Sequence, residues 1–199
     1  MSEALAVTSG AAAILAFACF ALVLAPYMQL HDAPGPQGLR PYTEPELRGR
    51  AQYVALGCVY CHSQQPRAPS QAPDQARGWG RPSIPGDYNN DYPHLLGTMR
   101  TGPDLFNIGA RQPSQTWHLL HLYQPRAVES HSVMPAFPFL FEVVETPSPD
   151  AVTVLVPEPW GPESGTVVAK PEALDLVAYL LALDHTYDIT KEDLRKEMP

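Results

Sequence analysis

The chain's densest chemistry lies in five residues, Cys58-Val59-Tyr60-Cys61-His62. Two thiols about one helical turn apart can add to the two vinyl groups of a single porphyrin. The imidazole that follows them then falls beneath the iron. With this chain's Cys and His frequencies, the pattern would arise by chance in roughly two of a thousand such sequences. It implies one covalently bound haem c, with Cys58 and Cys61 forming the thioethers and His62 as an axial iron ligand. Two other chemistries use cysteine pairs. A zinc site needs further ligands from a second pair, and the only other cysteine is Cys19. A redox dithiol expects a βαβ context, which the residues before Cys58 lack. Three cysteines also cannot build a disulfide framework.

An electron-transfer haem fills its sixth position, and a thioether there raises the potential and leaves no open site. Met99 and Met134 are the two candidates. Met134 sits in Ser132-Val133-Met134-Pro135-Ala136-Phe137-Pro138, where prolines stiffen a loop able to hold sulfur over the iron. His118 and His121 lie three apart in Trp117-His118-Leu119-Leu120-His121-Leu122, expected to be a short helix. Without a carboxylate or cysteine partner they are expected to be structural or interface residues.

Several elements must position these groups. Thr43 and Glu46 form a capping-box pattern with Pro45 in the first turn, so a helix is predicted to lead into Cys58. Leu47, Ala51, Val54 and Ala55 are predicted to share its apolar face, and Gly57 to allow close approach to the haem. Pro171 to Leu183 predicts a last helix, with Leu174, Val177, Ala178 and Leu181 on one face. Val152–Val156 and Thr166–Ala169 predict a small β-hairpin around Pro157 to Gly165, with Trp160 a contact residue or a turn plug.

The N-terminus is of another kind. Ala4 to Ala25 holds 22 residues without a charge, about 33 Å as a helix at ~1.5 Å per residue, enough to cross a bilayer. Pro26 is predicted to stop it and Tyr27 to sit at the interface. No basic residue precedes the run and Val23-Leu24-Ala25 is a poor cleavage site, so an uncleaved anchor is expected rather than a signal peptide. The run contains no ionisable residue able to bind haem or pass protons, and Cys19 reads as a small apolar residue facing lipid or a neighbouring helix.

Composition narrows the function further. The net charge of −8 speaks against coating nucleic acid, so no nucleic-acid partner is expected. The 23 prolines, roughly double the usual ~5% share, imply long ordered loops. The longest runs between His62 and Thr101. Its Trp79, Tyr88 and Tyr92 predict docking on another subunit.

Thr101-Gly102-Pro103-Asp104-Leu105 resembles the T-G-P-x-L segment of class I cytochromes c. That resemblance implies that the Pro103 carbonyl orients His62 and that Arg111, eight residues on, meets a haem propionate. It also implies that the last helix packs across the first, and that Met134, which lies well beyond Pro103, is the distal ligand in place of Met99. The order Leu39-Arg40-Pro41-Tyr42-Thr43, Gly57-Cys58 to Gln64, Arg100 to Leu105, Trp117 to Leu122, Pro125-Arg126 and Ser132 to Pro135 is more specific. It resembles the mono-haem cytochrome c subunit (subunit II, FixO/CcoO type) of the C-family, cbb-type haem–copper oxidases. Met99 departs from that family's usual basic residue before the Arg-Thr-Gly-Pro-Asp-Leu run.

The resemblance implies a relay of single electrons on the outer face of the bacterial cytoplasmic membrane, since covalent haem attachment occurs outside the cytoplasm. Electrons would come from a cytochrome c donor or companion haem subunit and leave to a haem–copper catalytic subunit that reduces oxygen. A nitric oxide reductase cytochrome subunit has the same plan, and a freestanding tethered carrier is the third possibility. The expected fold is mainly α, with one transmembrane helix and a class I cytochrome c-like domain. The expected boundaries are an anchor at 1–28, a linker at 29–42 and a mono-haem domain at 43–199 with insertions near 64–98 and 138–170.

Overall fold

The structure, a computed structural model, describes residues 2–30 and 35–190. Part of the expected linker, 31–34, and the last nine residues lie outside them.

The N-terminal apolar run is helical throughout: α1 (Glu3–Cys19), a π turn (Phe20–Leu24) and α2 (Ala25–Leu30). The span Glu3–Gln29 is long and apolar enough to cross a membrane, and none of its residues is buried within the chain. Pro26 does not end it, against expectation. The N–H of Ala25 reaches back five residues to the Phe20 carbonyl. That widened turn takes up the crowding a proline ring imposes on the preceding turn, and the helix continues.

By internal contacts the chain divides into two compact units. One holds this helix together with 35–39, 84–89 and 187–190. Within it the Tyr187 hydroxyl donates to Asp87 at 2.7 Å. The other, 40–83 and 90–186, carries the cysteine motif.

In the second unit α3 (Glu44–Ala55) starts at the expected capping box, with Glu46 accepting from the Thr43 backbone N–H at 2.7 Å. Arg40 holds the same carboxylate with two further bonds. The helix buries Glu46, Gly49, Arg50 and Tyr53, whereas Leu47, Ala51, Val54 and Ala55 face outward, opposite to the prediction. Gly49 decides this. A β-carbon there would stand 1.8 Å from the Asp175 carbonyl oxygen, so α3 presses its backbone onto α6 (Pro171–Ala182). Tyr53 meets Tyr179 edge-on at 5.5 Å in the same crossing, and Arg48 forks onto Asp175. The face of α6 is also turned from the predicted one: Ala173, Leu176, Val177, Tyr179 and Leu180 are buried, and of the predicted set only Val177 is.

Short helices α4 (Ile108–Arg111) and α5 (Gln115–Tyr123) pack on α6. Beyond them the predicted pairing of β2 (Thr153–Val154) with β3 (Thr166–Ala169) is present and antiparallel, but it is not an isolated hairpin. β1 (Phe141–Val144) pairs with the other edge of β3, giving a three-stranded sheet of order β1-β3-β2. One apolar core joins sheet and helices through Leu119, Leu122, Leu140, Phe141, Val167, Leu176 and Leu183. The architecture is thus an apolar N-terminal helix followed by a mostly helical region with a small sheet.

Candidate functional site

After α3 the chain turns at Gly57, whose φ of +72° is a left-handed conformation suited to glycine. The turn by itself is reason enough for a glycine at this position. A 3₁₀ turn (Cys58–Tyr60) follows, and the Cys61 N–H bonds the Cys58 carbonyl at 3.1 Å. The cysteines therefore stand just past the helix, not in its last turn. Both thiols are free, with Cys58 half-buried against the core and Cys61 exposed. Burial pushes the Cys58 thiol up to about 11.

His62 is fixed by the segment 101–105. Its Nδ1–H donates to the Pro103 carbonyl at 2.7 Å. A carbonyl can only accept, so Nε2 keeps its lone pair. Gly102 lies flat against the ring, and a β-carbon there would stand 2.3 Å from Cε1 of His62. On the other side Gly97, at φ +65°, admits the His62 backbone, whose oxygen would be 2.7 Å from a β-carbon. Backbone bonds from Gly102 to Cys61 (2.9 Å), Leu105 to Ser63 (2.8 Å) and Gln64 to Leu96 (2.7 Å) stitch the segments together. Burial holds the His62 imidazole below its ordinary value, against the Pro103 bond.

Asp104 is the buried hub beside this histidine. Its carboxylate accepts from the Ser63 hydroxyl at 2.6 Å, the Gln65 N–H at 2.8 Å and the Phe106 N–H at 2.9 Å. Burial still leaves its carboxyl above the ordinary aspartate range. Arg100 bonds Ser63 at 3.1 Å and the Gln65 carbonyl at 2.8 Å, and pairs with the fully buried Asp74 at 2.6 Å. Trp79 has both Arg100 and Arg77 over its ring, at 5.3 and 5.0 Å. Residues 74–79 of the first long insertion are thus folded onto the unit that carries the cysteine motif. Of the three aromatics expected to dock a partner, Trp79 is half-buried, Tyr88 is buried and only Tyr92 is fully exposed.

Arg111 places Nη2 on the Asp104 carbonyl at 3.0 Å, while its buried Nη1 has no partner. Met134 lies on a separate loop, half-buried against the core, its backbone N–H bonded to the Ser132 hydroxyl at 3.2 Å. Met99 is 55% exposed. On α5, His118 Nε2–H donates to the Gln112 carbonyl at 2.8 Å, and burial holds its imidazole low. Burial, aided by His118 and His62, pushes His121 down to about 4.

The structure brings Cys58, Cys61, His62, Pro103 and Arg111 into one connected patch. Sequence reasoning left Gly97, Gly102, Asp104, Arg100 and Asp74 without roles. Gly102 and Asp104 lay inside the quoted T-G-P-D-L motif, but Asp74 had no local signal. These residues suit a haem: two free thiols, an imidazole with one nitrogen committed and one open, and a buried guanidinium nitrogen awaiting an anion.

A family profile, that of the cytochrome c oxidase mono-haem subunit FixO, matches residues 2–152. No curated protein matches the chain's sequence. The match takes in the apolar helix, the cysteine–histidine motif and its supporting segments, and the chain belongs to the FixO family of mono-haem cytochrome c oxidase subunits.

Proposed function

We propose that the chain is the electron-relay subunit of a cbb-type haem–copper oxidase. In this reading Cys58 and Cys61 would hold one haem c covalently, and His62 and Met134 would ligate its iron. The bound haem supplies one-electron redox chemistry at its iron. Pro103 holds the His62 ring and its tautomer through the Nδ1–H bond. Arg111 offers Nη1 to a propionate. The region after the apolar helix folds as a class I cytochrome c, with α3 and α6 as its crossing pair. It stands on the outer face of the bacterial cytoplasmic membrane, where covalent haem attachment takes place. Electrons enter from a cytochrome c donor or a companion haem subunit. They leave to the catalytic subunit that reduces oxygen.

The observation that carries the proposal is the His62–Pro103 bond at 2.7 Å beside two free thiols. It leaves Nε2 as the one open ligand atom next to the attachment sites. The test is purification of the native complex with metal and haem analysis. The expected result is haem c that survives acid-acetone extraction on this chain, copurifying with a haem b and copper subunit. Extractable haem on this chain overturns the covalent assignment. Haem b with non-haem iron and no copper overturns the oxidase assignment in favour of a nitric oxide reductase.

A further inference from the structure

Helix α5 carries a buried polar atom with nothing to bond. Nδ1 of His121 is shut from solvent and has no hydrogen-bond partner. A buried nitrogen left unpaired loses its water without compensation, so such an atom calls for a ligand group. The ring is not placed at random. Trp117, one turn earlier, stacks on it with centroids 4.6 Å apart and planes within 8°. His118, between them, is already engaged with Gln112 and meets Trp117 edge-on at 5.2 Å.

Arg111 Nη1 is a second buried nitrogen in the same condition. His118, on the same helix as His121, bonds the carbonyl of Gln112, the neighbour of Arg111, and Arg111 in turn bonds the Asp104 carbonyl next to the Pro103 that holds His62. The two orphaned nitrogens therefore border the same region, beside the proposed iron ligand. Among the described residues no carboxylate bonds either nitrogen. The Asp104 carboxylate is taken up by Ser63, Gln65 and Phe106, and the Glu129 side chain is 65% exposed. The acceptor must come with the ligand, and a haem brings two carboxylates.

We propose that His121 is a haem-binding residue: its Nδ1–H donates to a haem propionate alongside Arg111, with Trp117 clamping the imidazole plane. The proposal rests on the reading that Cys58, Cys61 and His62 carry the haem. A donor on a propionate offsets negative charge near the iron and so favours the ferrous state.

The experiment uses the purified native complex with two substitutions. His121→Phe keeps a ring against Trp117 and deletes both nitrogens. His121→Asn keeps an N–H donor near the Nδ1 position. Potentiometric titration of the haem c band and the resonance Raman propionate bending mode are the readouts. His121→Phe is expected to shift the ferric-to-ferrous ratio at fixed potential about tenfold towards ferric, which is 59 mV for one electron. The propionate mode moves with it. His121→Asn is expected to restore most of both, and the low-spin spectrum stays unchanged in each. Unchanged potential and vibrational mode in His121→Phe would overturn the proposal. So would equal shifts in both variants, or a high-spin iron in either, which would make the imidazole an iron ligand. Absence of covalent haem from the unsubstituted protein would instead sink the underlying reading.

Discussion

A methyl group added at Gly102 would be felt directly by His62. Its β-carbon would stand 2.3 Å from Cε1 of a ring already tied to Pro103. Gly102→Ala is therefore expected to push the imidazole off the carbonyl and cost ~1–3 kcal/mol, the range for overpacking a close contact. Denaturant titration and the visible spectrum check this, and a variant with wild-type stability and spectrum would refute it. The sulfur ligand is tested separately. Met134→Ala is expected to abolish the far-red sulfur-to-iron band and lower the potential, and the exposed Met99→Ala to change neither. The reverse pattern transfers the ligand to Met99. At this scale the His62–Pro103 contact was legible, because Thr101–Leu105 is one uninterrupted motif. The unpaired Nδ1 of His121 was not legible, because spacing does not show which buried atom is left without a partner.

Elements are held to the histidine segment by ion pairs between residues far apart in sequence. Asp74 is fully buried and depends on Arg100. Removing the cation leaves a buried charge uncompensated, so Arg100→Ala is expected to cost ~3–5 kcal/mol in stability. Burial raises the Asp74 carboxyl, but Arg100 and the Arg67 N–H outweigh it and hold the group below its ordinary value near 3.8. A depressed carboxyl contributes stability above its unfolded value, and that stability is lost as pH falls through the folded one. Acid unfolding of the wild type should draw on this below about pH 4. In Arg100→Ala the acid transition should move to higher pH, as circular dichroism against pH would show; an unmoved transition would remove Asp74 from the account. Arg50 does similar work at the loop's far end, pairing with Asp91 at 2.9 Å and bonding the Tyr92 and Pro93 carbonyls. These anchors tie 64–83 and 90–98 to the unit that carries the cysteines, so excising the insertion would strip partners from Arg100 and Arg50. None of this was legible beforehand, because an aspartate in a proline-rich stretch gives no sign of which arginine it will find. The faces of α3 and α6 were misjudged for a related reason. Apolar periodicity favoured Leu47 and Val54, but backbone contact at Gly49 set which side went inward.

For the whole molecule, the apolar helix and the unit bearing the cysteines separate by their internal contacts. A chain whose residues 1–30 are replaced by a cleavable export signal is expected to leave the membrane fraction while keeping its haem c spectrum. Retention in washed membranes would show that other surfaces anchor it. The apolar span was plain from composition alone, since a charge-free run needs no tertiary information to be read. Its passage through Pro26 was not, because the π turn that permits it is a backbone adjustment with no residue signature. The α3–α6 crossing has a temporal side. Arg48 and Asp175 meet across a separation of 127 residues. Synthesis runs from the N-terminus, so Cys58 and Cys61 emerge long before the helix that closes over their base has been made. On the proposed reading, that interval is one in which both thiols stand uncovered for haem attachment.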